Sequence, residues 1–202
     1  MPVAVTIEPA ASAPLNPPRK RWTRAECEVL ERSGLLVNEH LELIDGELIN
    51  KMGKNRPHVN SIVLLIEWLS GVFGARFVIP ESPIDVAPAD NPTNEPEPDL
   101  IVTRLPIQAF QTANPEPKDV ALLVEISDTT RAFDLSVKAA LYARAGIVEY
   151  WVLDINGRRM VVHREPEAGV YRSVIAYGEE ESVTPLAAPS AALRVGDVLL
   201  PN

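Results

Sequence analysis

The chain has 202 residues, which suits one domain of ordinary size, and 46% of them are hydrophobic, as in a globular protein with a sizeable core. A formal net charge of −9 argues against tight nonspecific binding of nucleic acid through a broad basic surface, although carboxylates that hold a cation also count as negative. The longest apolar stretch is interrupted by Glu67 and falls short of the roughly 20 residues that cross a bilayer, and a single cysteine excludes an internal disulfide and a cysteine-based zinc cluster.

The N-terminal segment, residues 1–20, is rich in proline and alanine and lacks the basic region and long apolar core of a secretory signal. We therefore predict a disordered tail, a single domain over residues 21–202 and a cytoplasmic location. The domain begins with a capping box, in which the Thr23 hydroxyl and the Glu26 carboxylate each satisfy a backbone donor at the start of a short helix. Cys27 lies in this helix and is expected to be a small buried side chain.

The next two elements are a hairpin and a long helix. The segment "HLELIDGELIN" alternates around Asp45 and Gly46, which is typical of two short strands joined by a tight turn. A helical period follows from His58 and stops at Gly74. Its predicted apolar face consists of Val59, Ile62, Val63, Ile66, Leu69 and Phe73. The pattern predicts an amphipathic helix ahead of the central strands.

The rest of the chain has the pattern of a sheet with one more helix. "RFVIPESPIDVAP" and "PDLIVTRL" predict strands, and the continuous run "DVALLVEIS" predicts a strand that is buried on both faces. "AFDLSVKAALYARAG" predicts a helix that closes at Gly146, and "VEYWVLDI", "RMVVHRE" and "VYRSVIAYG" predict further strands. This order implies an α/β sheet with at least one right-handed crossover.

Two carboxylates and one lysine are candidates for chemistry. Glu125 lies in the strand predicted to be buried, where a charge is costly unless it is paired, hydrogen-bonded or bound to metal. Asp99 begins a neighbouring strand, and two converging carboxylates can share a hard cation such as Mg²⁺. Lys138, about one turn into the next helix, can return its long side chain to this strand end. Taken singly, Asp99 also suits a turn cap, and Lys138 suits an exposed pair with Asp134.

The order of the motifs resembles that of a known family. "PEPDL", "LLVEIS", "FDLSVKAALYARAG" and "VEYWVLD" follow "LELIDGEL" and the helix that begins near His58. This combination resembles the Uma-two family, a restriction-endonuclease-like branch of the PD-(D/E)XK nuclease superfamily, over approximately residues 21–178. The resemblance implies an α/β fold with a restriction-endonuclease-like core. In this core a mixed central sheet is flanked by helices, in the order helix, three strands, helix and strand, with extra strands outside it.

The resemblance also assigns the main site residues. It implies that Asp99 and Glu125 bind a metal ion and that the main-chain carbonyl of Ile126 adds a ligand. The superfamily usually places a lysine two residues after the second carboxylate, where this chain has Ser127. Lys138 is therefore expected to substitute from the helix. The expected cofactor is Mg²⁺, with Mn²⁺ as an alternative.

Further residues are assigned to the site less directly. Glu47 resembles another acidic position of the family, expected to bind a second ion or act as a base, and His58 resembles the family's histidine ahead of the first core helix. Glu42 competes with Glu47, since alternation along a strand puts positions 42 and 47 on opposite faces. Tyr142 follows Lys138 by one turn and either lines the same cleft or packs the helix.

Together these features predict an endonuclease that hydrolyses phosphodiester bonds in DNA. Asp99 and Glu125 would hold the ion, and Lys138 would orient the attacking water and stabilise charge on the phosphoryl group. The alternative is a catalytically inactive copy of the fold that binds a nucleic-acid or protein partner. Similar nucleases pair to cut two strands, so a homodimer is also expected, whereas no membrane partner is.

Overall fold

The computed structural model describes residues 18–37, 39–51 and 55–201, so the predicted tail lies outside the described residues except for positions 18–20. The helices are α1 (Arg24–Arg32), α2 (Arg56–Phe73) and α3, which runs through α-helical Arg131–Phe133, π-helical Asp134–Lys138 and α-helical Ala139–Arg144. The strands are β1 (Leu41–Ile44), β2 (Glu47–Asn50), β3 (Val78–Pro80), β4 (Leu100–Thr103), β5 (Val120–Ser127), β6 (Glu149–Asp154), β7 (Arg159–Glu167), β8 (Val170–Gly178), β9 (Ser182–Val183) and β10 (Leu193–Arg194). In the described part of the chain, no helix is both long and apolar enough to span a membrane.

A six-stranded mixed sheet forms the centre of the fold. Strands β3 to β8 lie side by side in sequence order. Every neighbouring pair is antiparallel except β5 and β6, which are parallel and are connected through α3. The pairs β1–β2 and β9–β10 form two small separate sheets. The predicted α/β architecture, with helix, three strands, helix and strand as its core, is therefore confirmed.

The central strand β5 is buried on both faces, as its continuous apolar run predicts. Leu122 and Val124 belong to the core cluster that includes Leu65 of α2. Leu123 belongs instead to the cluster that includes Tyr142 of α3. Successive side chains of a strand point to opposite faces, so Glu125, two residues after Leu123, lies on the same face as Leu123. Its side chain therefore points toward α3. The sheet thus directs this carboxylate to the helix that carries the candidate lysine.

The face of α2 that packs on the sheet matches the predicted one in part: Leu69 is buried, and Ile62, Ile66 and Phe73 pack against the core. Val59 and Val63 are 43% and 56% exposed, whereas Ser61 and Leu65 are buried. Ser61 tolerates burial because its hydroxyl donates a hydrogen bond of 2.8 Å to the carbonyl of Val198. The helix is apolar on more than one side, so its period alone did not select the buried stripe.

The first predicted strand of the sheet is shorter than the sequence suggested. Of "RFVIPESPIDVAP", only Val78–Pro80 is a strand. Glu81 has a φ of 47°, which turns the chain, and Pro83 has no amide hydrogen to donate to a neighbouring strand. Ile84 and Val86 are nevertheless buried, which explains why the segment has an apolar pattern.

The turn between β1 and β2 requires glycine, and the predicted hairpin is confirmed there. Gly46 has a φ of +73°, and a Cβ at this position would lie 2.8 Å from the Cβ of Arg21. We therefore expect Gly46→Ala to lower the free energy of unfolding by about 1–3 kcal/mol. Gly71 in α2 is the control, because a Cβ there meets nothing within 4 Å and alanine favours a helix. Urea denaturation checks both variants; unchanged stability of Gly46→Ala would contradict the expectation.

Candidate active site

The antiparallel ladder of β4 and β5 brings two acidic side chains together. Leu100 pairs with Val124, so the preceding residue Asp99 lies beside Glu125 at the end of the ladder. The amide of Asp99 donates to Oε2 of Glu125 at 3.4 Å, and the amide of Ile126 donates to Oδ2 of Asp99 at 2.7 Å. Each of the two acidic residues is only 5% exposed. They form the floor of a cleft.

Lys138 reaches the same floor from α3. It ends the π-helical turn Asp134–Lys138, and such turns are rare and occur frequently at functional sites. Its Nζ lies 2.9 Å from Oε1 of Glu125 and 2.9 Å from Oε1 of Glu42. The residue is 3% exposed. The structure thus brings the predicted lysine to Glu125 and adds a second glutamate to it.

Asp134 does not form the exposed pair with Lys138 that the sequence allowed. Asp134 is buried, and its Oδ2 accepts hydrogen bonds from the hydroxyls of Ser127 at 2.6 Å and Thr130 at 2.7 Å. Ser127, which stands at the usual lysine position of the superfamily, is itself fully buried. Its contact therefore joins the end of β5 to the start of α3.

The hairpin places Glu42 in the cleft and leaves Glu47 outside it. Ile44 pairs with Glu47 across the two-residue turn, so Glu42 and Glu47 share a face of the hairpin at opposite ends. Glu42 is buried in the cleft wall, whereas the Glu47 side chain is 58% exposed and lies 3.8 Å from Arg19. The argument from strand alternation was wrong because it took no account of the turn. The position of Glu47 does not support the site role that we expected for it.

His58 and Tyr142 contact the two acidic residues from different sides. His58 lies in the first turn of α2, where its amide donates to the cap residue Asn55, and its Nε2 lies 3.4 Å from Oδ2 of Asp99. Its Nδ1 is buried without a hydrogen-bond partner among the residues that the structure describes. The Tyr142 hydroxyl lies 3.3 Å from Oε1 of Glu125, and this residue is completely buried. Tyr142 therefore packs beneath the cleft and also touches its floor.

The cleft has a volume of about 320 Å³. Its lining includes the residues Glu42, His58, Asp99, Glu125, Ile126 and Lys138. It also includes residues that the sequence did not indicate as parts of a site, namely Lys51, Asn55 and Asp128. Asp128 directly follows β5. That position, at the end of a buried strand with an acidic residue, was the signal that could have identified it.

Two comparisons identify the family and the fold. A family model described as "Uma2: Putative restriction endonuclease" matches residues 30–196. The chain belongs to the Uma2 family. A crystal structure of a "putative nuclease belonging to DUF820" from Anabaena variabilis ATCC 29413 matches with a TM-score of 0.60 and 15% sequence identity, over 83% of the Uma2 chain and 95% of that chain. No curated protein matches the Uma2 chain. The predicted family, Uma-two, is thus confirmed, and the structural likeness shows that the chain shares the fold of that protein.

The ionisable groups of the Uma2 cleft have unequal environments. Burial raises the pKa of Glu125 to about 8, although the charge of Lys138 acts in the opposite direction. Burial also opposes ionisation of Asp99, but the contact with His58 helps to bring the pKa of Asp99 below its ordinary value. For Lys138, burial alone would lower the pKa, and the charges of Glu125 and Glu42 outweigh it and raise the pKa. Asp99 thus favours its ionised form, whereas Glu125 favours a proton unless a further cation, besides Lys138, compensates its charge.

The donor atoms of the Uma2 cleft suit Mg²⁺ or Mn²⁺. Asp99 and Glu125 both line the cleft and can each supply carboxylate oxygens as ligands, and hard cations such as Mg²⁺ use one or two carboxylates and keep several waters. Within the described residues, no three acidic, histidine or cysteine side chains form a ready-made metal-binding group. A site made of two carboxylates, the expected Ile126 carbonyl and waters does not require a third side chain of these types. His58 holds Asp99 from the other side through Nε2, which leaves the carboxylate fixed in the cleft lining.

Proposed function

We propose that the Uma2 chain is a metal-dependent endonuclease that hydrolyses phosphodiester bonds in DNA, with Mg²⁺ or Mn²⁺ held by Asp99 and Glu125. The observation that carries the proposal is that Glu125, buried on the floor of a cleft beside Asp99, accepts from the amide of Asp99 and from the ammonium of Lys138. Burying such groups opposes folding unless they are compensated, and strongly perturbed groups in a cleft are concentrated at functional sites. The family description and the nuclease fold support the same function.

Each residue has a role that follows from its position. Asp99, whose pKa is lowered, supplies an ionised oxygen donor, and Glu125 supplies the second. A bound divalent ion would polarise the phosphodiester and lower the pKa of a water molecule. The ammonium of Lys138 lies 2.9 Å from Glu125 and can hold the attacking water while it neutralises charge that develops on the phosphoryl group. His58, whose Nε2 lies 3.4 Å from Oδ2 of Asp99, can hold this carboxylate in place for the ion.

The decisive experiment is cleavage of supercoiled plasmid by the purified protein. With Mg²⁺ or Mn²⁺ we expect nicked and linear products, and we expect background cleavage only from Glu125→Ala or in the presence of a chelator. Glu47→Ala is the matched control, because it removes a glutamate that lies outside the cleft and should leave the rate unchanged. A larger yield of linear product at higher protein concentration would support the expected homodimer. Equal cleavage by Glu125→Ala would assign the activity to a contaminant.

The same protein can be tested for the alternative function, a catalytically inactive module that binds a partner. A competent site that binds the ion only in the folded state must gain stability by mass action, about 2.7 kcal/mol at an ion concentration 100 times the Kd. We therefore expect Mn²⁺ to raise the melting temperature of the natural protein and not that of Glu125→Ala. Absence of both cleavage and this rise would favour the inactive module.

A further inference from the structure

We infer that Glu42 is a positioning residue that anchors the Lys138 ammonium in the cleft when Glu125 binds the cation. The inference rests on the proposed function. It concerns a residue of the β1–β2 hairpin, which lies outside the six-stranded sheet that carries both proposed metal-binding residues. In this view the hairpin completes the active site through the lysine.

Each carboxylate oxygen of Glu42 is held by a contact. Oε1 lies 2.9 Å from Nζ of Lys138, and Oε2 accepts a hydrogen bond of 3.3 Å from the amide of Glu97. Only 5% of the residue is exposed, so water does not screen its charge well. Glu97 is itself held by Lys51, whose Nζ donates to the Glu97 carbonyl at 2.8 Å. The glutamate is therefore a rigid partner for the lysine.

Glu125 cannot form a strong ion pair with Lys138 and also bind the divalent cation strongly. Its Oε1 contacts Lys138, and its Oε2 accepts from the amide of Asp99 on the side where the ion is proposed to bind. A divalent ion at Glu125 would repel the ammonium and weaken its pair with this carboxylate. A buried ammonium that loses its partner is strongly destabilised. Glu42 offers the second carboxylate at the same distance, so Lys138 can stay in the cleft after the ion binds.

The geometry favours action through Lys138 over direct metal binding by Glu42. The contacts of Glu42 described above are with Lys138 and with the backbone of Glu97. The contacts of Asp99 are different, since it accepts from Ile126 and lies beside His58. Lys138 thus lies between Glu42 and Glu125. Glu42 therefore acts on the proposed metal site through the lysine.

The first test is a double-mutant cycle of Glu42→Gln and Lys138→Met, with Mn²⁺ affinity as one readout. We expect Glu42→Gln to lower kcat by about 10- to 100-fold with little change in KM, and to weaken Mn²⁺ binding. In the Lys138→Met background, Glu42→Gln should change Mn²⁺ affinity by less than about twofold, because the ammonium through which Glu42 acts is absent. Glu47→Gln is the matched control. The same loss of Mn²⁺ affinity in both backgrounds would show direct metal binding and overturn the inference.

A second test does not depend on cleavage. The chain has five lysines, so the side-chain ammonium signals of protein labelled with ¹⁵N-lysine can be assigned, with Lys138→Met identifying the signal of Lys138. Burial and two ion pairs should protect this ammonium from exchange and make its signal visible in the natural protein and in Glu47→Gln. We expect the signal to weaken or disappear in Glu42→Gln, and an unchanged signal would contradict the anchoring role.

The outcomes separate this inference from the proposed function. If the natural protein neither cleaves DNA nor binds Mn²⁺, the proposed function fails, whereas the ammonium signal still decides whether Glu42 anchors Lys138. If the natural protein is active and Glu42→Gln is equally active, only the inference fails. Should Glu42→Gln not fold, Glu42→Asp keeps the charge on a shorter side chain. It should then retain the ammonium signal with a smaller loss of kcat, and full activity without that signal would overturn the inference.

Discussion

Replacing Lys138 with methionine should lower kcat for DNA cleavage by about 10²–10³-fold, the loss expected when one preorganised group that stabilises transition-state charge is removed. Methionine is nearly as long as lysine, so the buried position stays filled while the ammonium is lost. Glu125 and Glu42 would then lack their shared cation. Glu125 can then take up a proton, since burial already raises its pKa to about 8, so we expect the fold to persist. Single-turnover rates at saturating Mn²⁺ measure the effect, and circular dichroism checks the fold.

The control for this variant is Lys118→Met. The Lys118 side chain is 71% exposed and pairs at the surface with Glu116, so its loss should leave the rate unchanged. A rate for Lys138→Met within a few fold of the natural rate would remove the lysine from the mechanism. It would also mean that no lysine in the helix substitutes for the one that Ser127 replaces in the usual motif.

The residues that the sequence located correctly are those whose surroundings are local. Glu125 interrupts a continuous apolar run, and the structure confirms that this run is a strand buried on both faces. Asp99 directly precedes the strand paired with it, and Lys138 lies on the helix that directly follows. Strand alternation and the short path from β5 to α3 bring these side chains to one place. Neighbouring elements in sequence therefore carried enough information to locate this part of the cleft.

The residues that the sequence misplaced depend on how distant elements pack. Glu42 and Glu47 have similar local surroundings, and only the docking of the hairpin beside α3 buries one of them. Asp134 has the spacing of a surface partner of Lys138, but a π-helical turn brings both residues inside. Val63 fits an apolar helix period and is nevertheless exposed. Periodicity describes one element at a time, so it cannot choose between two apolar faces or two acidic positions.

Replacing Glu149 with alanine should lower the free energy of unfolding by about 3–5 kcal/mol, the loss typical of removing one partner from a buried ion pair. Glu149 is fully buried in β6, and its Oε1 accepts from Nε of Arg164 at 2.9 Å and from the indole of Trp151 at 2.9 Å. Its Oε2 accepts from the amide of Leu186 at 2.7 Å. One carboxylate thus joins β6, β7 and the segment that follows β9, and its removal leaves four donor groups on three residues without this acceptor.

Glu167→Ala is the matched control for Glu149→Ala, because it also removes a glutamate paired with an arginine. Glu167 lies on β7 with its side chain 67% exposed, and it contacts Arg172 at the surface. A pair of this kind contributes about 0–1 kcal/mol, so we expect little change in the urea midpoint. Equal stability of the two variants would show that burial does not strengthen the Glu149 contacts. Glu149 does not line the cleft, so Glu149→Ala protein that remains folded should still bind Mn²⁺. This result would separate the role of Glu149 in stability from the roles of Asp99 and Glu125 in the proposed chemistry.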